Sequence, residues 1–137
     1  MPPLVAVVDD DIAVRESLES LIRSVGLEVT LSASAEEFLS SNRPRKADCL
    51  ILDVRLPGMS GIELQRHLVA HKSGVPVIFV TAHASDHHAR SQAASDWTVA
   101  YLTKPFGEDE FLDAVNAALQ WGRRGQKPPL NQGERDG

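Results

Sequence analysis

The chain is expected to fold as a doubly wound α/β domain, a five-stranded parallel sheet covered on both faces by five helices. Two observations predict this. Short apolar runs alternate with helical patterns from one end of the sequence to the other, which is how strand–helix–strand units read. The runs themselves are continuous and rich in β-branched residues (LVAVV, CLIL, VIFV), as strands buried on both faces should be. At 137 residues the chain is long enough for one domain with a real core and too short for two ordinary ones.

Leu4–Val8 is the first expected strand. A helical pattern follows, with Ile12, Leu18, Leu21, Ile22 and Val25 at three- and four-residue spacing, stopped by Gly26. Val29–Leu31 reads as a short, weak strand. Ser34 with Glu37 forms a capping box opening a short helix through Phe38 and Leu39. Arg43–Lys46, with Pro44, reads as a loop. Cys49–Leu52 is the most hydrophobic strand candidate and is expected at the centre of the sheet. Pro57-Gly58 then marks a turn, and Ser60 with Glu63 forms a second capping box before a helix carrying Ile62, Leu64, Leu68 and Val69. Val77–Val80 and Val99–Leu102 are the fourth and fifth strands, with a weakly amphipathic helix expected over Ser85–Ala94 between them. The final helix carries Phe111, Leu112, Val115, Ala118 and Leu119 along one face, and Glu108, Asp109 and Glu110 in its first turn, where the helix dipole favours acids. Residues 1–122 are therefore expected to form one domain, and 123–137 a polar, Pro/Gly-rich, disordered tail.

Composition narrows the function. Hydrophobic content of 42% with 24% charged residues is that of a soluble globular protein. A net charge of −5 argues against a nucleic-acid surface. No apolar stretch reaches the roughly 18 residues of a membrane span, and the first residues lack a signal peptide's pattern, so no membrane association and a cytoplasmic location are expected. The single cysteine, Cys49, lies inside an apolar run and reads as a small buried hydrophobe.

Four expected strands end on residues suited to a phosphoryl group: Asp9, Asp10 and Asp11 after the first, Asp53 after the third, Thr81 after the fourth and Lys104 after the fifth. In a parallel sheet wrapped by helices, ligands bind at the carboxyl ends of the strands where the winding reverses. These side chains are thus expected to converge on one rim. One of the three consecutive aspartates, Asp11, reads as a helix cap. The others fit no such role together, because two unit charges about 4 Å apart cost on the order of 4 kcal/mol at an effective dielectric of 20. A hard divalent cation would relieve that repulsion. Beside it, Asp53 can act as a nucleophile that accepts a phosphoryl group, with the Thr81 hydroxyl and the Lys104 ammonium meeting phosphate oxygens.

The motifs VVDDD, LDVRLPGMSGIEL, VPVIFVTAH and YLTKPF together resemble the receiver domain of two-component response regulators, over about Leu4–Gln120. Their wording is closest to the receivers of the FixJ/LuxR-type subgroup, which usually precede a helix-turn-helix. No such DNA-binding domain is present in this sequence, so the chain is expected either to be a single-domain regulator or to be the receiver of a longer one. The resemblance implies a CheY-like, flavodoxin-like sheet of order 2-1-3-4-5. It implies that Asp53 is the phospho-accepting aspartate and that Mg²⁺ (or Mn²⁺) is held by Asp10, by Asp9 directly or through water, by Asp53 and by the backbone carbonyl of Arg55. It further implies that Thr81 and Lys104 bind the phosphoryl oxygens, that Tyr101 switches rotamer with Thr81, and that the Lys104–Pro105 peptide is cis. The implied partners are a sensor histidine kinase or a histidine phosphotransfer protein, and a second copy of the chain through the 85–120 face. No direct binding to nucleic acid is implied.

On that reading the chain is a signalling switch that catalyses its own phosphorylation and dephosphorylation at Asp53, not a metabolic enzyme. An aspartyl-phosphate phosphatase or phosphotransferase is the competing reading. Such enzymes often keep a second aspartate two residues after the nucleophile, and here that residue is Arg55. A phosphorylation-independent interaction module would be expected to have lost a site residue, and none is lost. Two features depart from the subgroup: the stretch Ala-Ala-Ser-Asp-Trp-Thr-Val has no glycine before the fifth strand, and the Thr81-to-Lys104 interval is one residue longer than usual. Trp97 in that stretch can either pack or serve as an exposed partner contact. His83, two residues beyond Thr81, is placed to tune access of water to the acyl phosphate.

Overall fold

The computed structural model of the protein describes residues 2–41, 46–72, 74–82 and 97–124. Its elements are β1 (Leu4–Val8), α1 (Ile12–Ser24), β2 (Glu28–Ser32), α2 (Ala35–Ser40), β3 (Cys49–Asp53), α3 (Gly61–Ala70), β4 (Val77–Thr81), β5 (Thr98–Thr103) and α4 (Glu108–Arg124). The strands form one sheet in the order β2-β1-β3-β4-β5, with every neighbouring pair parallel. The helix expected over Ser85–Ala94, and His83, lie outside the described residues, as do residues 125–137 of the expected tail.

Alternation along the buried strands builds two cores. Ala6, Val8, Leu50, Leu52, Val77 and Phe79 face α2 and α3, where Ala35, Ile62, Leu64 and Leu68 close the layer. Val5, Val7, Cys49, Ile51, Ile78 and Val80 face α1 and α4, meeting Leu18, Ile22, Phe111, Val115 and Ala118. Every residue of β1, β3 and β4 is buried, so up to the polar residues Asp53 and Thr81 that end β3 and β4 these strands are apolar on both sides and read as unbroken runs. Burial also pushes the Cys49 thiol well above its ordinary range.

The helix starts follow local chemistry. Asp11 caps α1, accepting a hydrogen bond from the Ala13 N–H at 2.9 Å. Ser60 and Glu63 form a complete capping box on α3. At α2 the box is only half built: Ser34 accepts from the Glu37 N–H, but the Glu37 carboxylate takes the N–H of Ala33, one residue before the cap. Trp97 packs. It is half-buried, its ring centroid lies 5.3 Å from that of Trp121, and its ring occupies the space beside Gly74 so closely that a Cβ there would sit 2.6 Å from it.

Register sets up the rim. Val8 pairs with Ser32 and Leu52, Asp53 with Val80, and Thr81 with Thr103, so all five strands end nearly level. From β1 the chain winds to β2 on one side, and from β3 it winds to β4 on the other. Asp9 and Asp53 therefore flank the crevice where the winding direction reverses.

Candidate functional site at the carboxyl rim of the sheet

Asp9 follows β1 and is almost wholly buried, at 1% exposure. Its backbone N–H donates to the Ser32 carbonyl at 3.1 Å, which extends the β1–β2 ladder by one bond. Its Oδ1 accepts from the Asp11 N–H at 2.9 Å. Asp53 ends β3 and is 7% exposed, with Oδ1 accepting from the Arg55 N–H at 2.9 Å. The second oxygens of both carboxylates meet one cation: Lys104 Nζ donates to Asp9 Oδ2 at 2.9 Å and to Asp53 Oδ2 at 3.2 Å. Three residues separated by 44 and 51 positions along the chain thus join through a single ammonium.

Lys104 is positioned by its backbone. Its N–H donates to the Thr81 carbonyl at 2.7 Å, and the Lys104–Pro105 peptide is cis. Thr81 is fully buried at the end of β4, next to Val80, the register partner of Asp53. Tyr101 lies further back on β5. It pairs with Phe79 across the sheet, with ring centroids 6.3 Å apart, and its hydroxyl is buried. The described geometry thus bridges Asp9, Asp53 and Lys104 through side chains, ties Thr81 to Lys104 through the backbone, and sets Tyr101 on the α2/α3 side.

Asp10 is exposed, yet Asp9, Asp10 and Asp53 can each offer one carboxylate oxygen within 4.8 Å of the others. Three carboxylates and one ammonium leave two negative charges on this rim. At the 4.8 Å limit each acid pair repels by about 3 kcal/mol at an effective dielectric of 20. The charge balance and the hard oxygen donors fit a divalent cation such as Mg²⁺ or Mn²⁺. Electrostatics agree with the crowding. Burial, reinforced by the charge of Asp9, pushes the Asp53 carboxyl up from 3.8 to about 6 against the opposing Arg55 N–H and Lys104. For Lys104, burial works to lower the pKa. The hydrogen bond to Asp9 and the charges of Asp53 and Asp9 outweigh it, and the ammonium is held above its ordinary range.

Three further residues shape the rim without having been singled out by the sequence. Gly61 opens α3 directly against Asp53: a Cβ there would lie 2.1 Å from the Asp53 carbonyl oxygen. Glu36 of α2 accepts the Met59 N–H at 2.8 Å and so clasps the turn after β3, where Gly58 adopts φ +74°. Arg15 of α1 donates from Nη1 to the Asp9 carbonyl at 2.7 Å. A cation in the first turns of a helix, against the dipole, was the available signal for Arg15. Nothing local marks Glu36, whose partner lies 23 residues away.

These features define a doubly wound α/β domain with an acidic, ammonium-capped rim at its switch point. The chain belongs to the family of response regulator receiver domains, whose model matches residues 5–116. It is 46% identical over 121 residues to nodulation protein W of Bradyrhizobium diazoefficiens, which covers 88% of this chain and 53% of that protein. The solved response regulator StyR superposes with a TM-score of 0.79 at 43% identity, over 91% of this chain and 63% of that one. The FixJ-N crystal structure gives 0.78 at 32% identity, over 88% and 95%. The chain thus spans about half the length of the nodulation protein it resembles. A receiver domain is a signalling domain. Among the described residues no helix is long and apolar enough to cross a membrane.

Proposed function

We infer that this domain is a phosphorylation switch in which Asp53 accepts a phosphoryl group from a histidine kinase or a histidine phosphotransfer protein. The observation that carries the reading is the Lys104 ammonium bridging Asp9 and Asp53 at 2.9 and 3.2 Å. A cation held between two acids on adjacent strands is already where the charge of an incoming phosphoryl group must be met. Asp9, Asp10 and Asp53 would hold Mg²⁺ with the Arg55 carbonyl. When bound, that ion would supply charge neutralisation and an in-line orientation for the phosphoryl oxygens.

This chain's own residues account for the rest. A carboxylate oxygen of Asp53 attacks the phosphorus of a phosphohistidine. The new P–O bond forms as the P–N bond breaks; the electron pair goes to the departing imidazole nitrogen, which takes a proton from solvent water. The group adds a charge of roughly −1.5 to −2 and strong acceptor oxygens. Lys104 and the Thr81 hydroxyl turn towards it. The displacement of Thr81 frees room for Tyr101 to change rotamer, which alters the surface of β5 and α4 that a target or a second copy reads. Hydrolysis of the acyl phosphate at the same site resets the switch, and the setting is the cytoplasm.

The test is to incubate the protein with Mg²⁺ and acetyl phosphate or phosphoramidate and measure intact mass. The wild type should gain the mass of one phosphoryl group and Asp53→Asn none. Equal modification of both would overturn the assignment. A change in elution volume on modification would make dimerisation part of the output.

A further inference from the structure

Arg15 occupies the fourth helical position after the Asp11 cap of α1, close to the end of the helix where its dipole disfavours a cation. Its half-buried side chain turns back across six residues and donates to the Asp9 carbonyl at 2.7 Å. That bond completes the anchoring of Asp9. The N–H is tied to β2 through Ser32, Oδ1 to the Asp11 N–H, Oδ2 to Lys104, and the carbonyl to α1 through Arg15. Asp10 lies between Asp9, so held, and Asp11, whose side chain is committed to the cap. Where Asp10 points its carboxylate is therefore decided by a turn whose carbonyl end Arg15 fixes.

We propose that Arg15 is a positioning residue of the metal site: by holding the Asp9 carbonyl it fixes the turn that presents Asp9 and Asp10, and so raises affinity for the divalent cation without touching it. The inference rests on the reading above that these acids bind Mg²⁺. Charge alone makes the opposite prediction. A guanidinium bonded to the backbone of Asp9 brings a positive charge near the site and repels a second cation, so if its charge were all that mattered, deleting it would tighten Mg²⁺ binding. Positioning and charge thus pull in different directions, and one titration separates them.

The experiment is a Mg²⁺ titration of the full chain at constant ionic strength, by calorimetry and by amide shifts of residues 9–11, for wild type, Arg15→Gln, Arg15→Lys and Arg23→Gln. Arg23 sits on the same helix in an exposed pair with Glu19 and controls for net charge. Arg15→Gln should raise the Mg²⁺ dissociation constant about tenfold, as loss of a partner supporting a metal ligand commonly does. Arg15→Lys should fall between it and wild type, and Arg23→Gln should match wild type. An unchanged or tighter constant in Arg15→Gln overturns the proposal. A merely structural role would lower the thermal midpoint without moving the constant measured on folded protein. If Arg15→Gln does not fold, Arg15→Lys decides, and a wild-type constant with wild-type shifts at residues 9–11 refutes the idea. Absence of Mg²⁺ binding in the wild type would instead sink the site reading, and this proposal with it.

Discussion

Replacing Asp53 with asparagine removes one buried charge and leaves the side chain's shape nearly intact. In the metal-free protein that charge is held at a cost. The side chain is 9% exposed and faces Asp9, and its carboxyl titrates near 6 in place of 3.8. A difference of this size corresponds to about 3 kcal/mol at pH 7.5, taking 1.36 kcal/mol per unit. Screening at the open side of the rim and the loss of one Lys104 contact reduce the expected gain in Asp53→Asn to about 1–2 kcal/mol, or about 3–8 °C in melting midpoint for a domain of this size. The sign follows from proton binding. The folded wild type holds the Asp53 proton more tightly than the unfolded chain does. Between pH 3.8 and about 6, acidification therefore favours the folded wild type, and the advantage of the variant shrinks towards zero. Mg²⁺ should act in the same direction, stabilising the wild type at pH 7.5 far more than the variant. The assay is thermal melting of both proteins in EDTA at pH 7.5 and at pH 4.5, then with Mg²⁺ at pH 7.5. A less stable Asp53→Asn in EDTA at pH 7.5, or a gap that ignores pH, would refute the argument that these acids are crowded.

Other perturbations follow from the same geometry. Lys104→Met strips both acids of their shared partner and should cost about 1–3 kcal/mol in EDTA, with Mg²⁺ recovering more stability than it adds to the wild type; urea melts with and without the ion check this. Gly61→Ala drives a Cβ into the Asp53 carbonyl and should destabilise the fold by about 3 kcal/mol, measurable as a lowered urea midpoint. Glu36→Gln weakens the clasp on the Met59 N–H, so the amides of residues 56–60 should exchange with solvent faster than in wild type. The hydrogen bond to Met59 holds the Glu36 carboxyl below its ordinary range, so in the wild type the clasp should persist through that range and loosen only as pH falls below it. Cys49, buried in β3, should react with an aromatic disulfide reagent only at the rate of global unfolding, whereas prompt labelling would show that the central strand opens locally.

What the amino-acid sequence reveals of this fold and site follows from where each constraint lives. β1 runs Leu4–Val8, as the apolar stretch predicts, because a strand buried on both faces must be apolar without interruption. β2 extends one residue further at each end than the expected Val29–Leu31, since Glu28 and Ser32 pair through the backbone, to which hydrophobicity is blind. The gathering of Asp9, Asp53 and Lys104 was readable because each directly follows or ends a strand, and parallel strands in level register bring their ends together. The partners of Arg15 and Glu36 were not, because they are a carbonyl and an N–H, which every residue carries; the misplaced cation marks Arg15 as unusual without saying what it holds. The half-built cap at Ser34 shows the same limit. Residue types permitted a full box, and the chain's path before the helix gave the Glu37 carboxylate a different N–H.

If the reading of the site is right, this rim holds a magnesium ion and a phosphoryl group together. The most direct measurement is a crystal structure of the protein with Mg²⁺ and beryllofluoride, a mimic of the phosphoryl group. The account predicts beryllium bonded to an Asp53 oxygen, fluorines facing Lys104 Nζ and the Thr81 hydroxyl, and the ion about 2.0–2.1 Å from oxygens of Asp10 and Asp53. A beryllofluoride absent from Asp53 at saturating concentration, or an ion bound elsewhere while Lys104 keeps its bridge between Asp9 and Asp53, would contradict it.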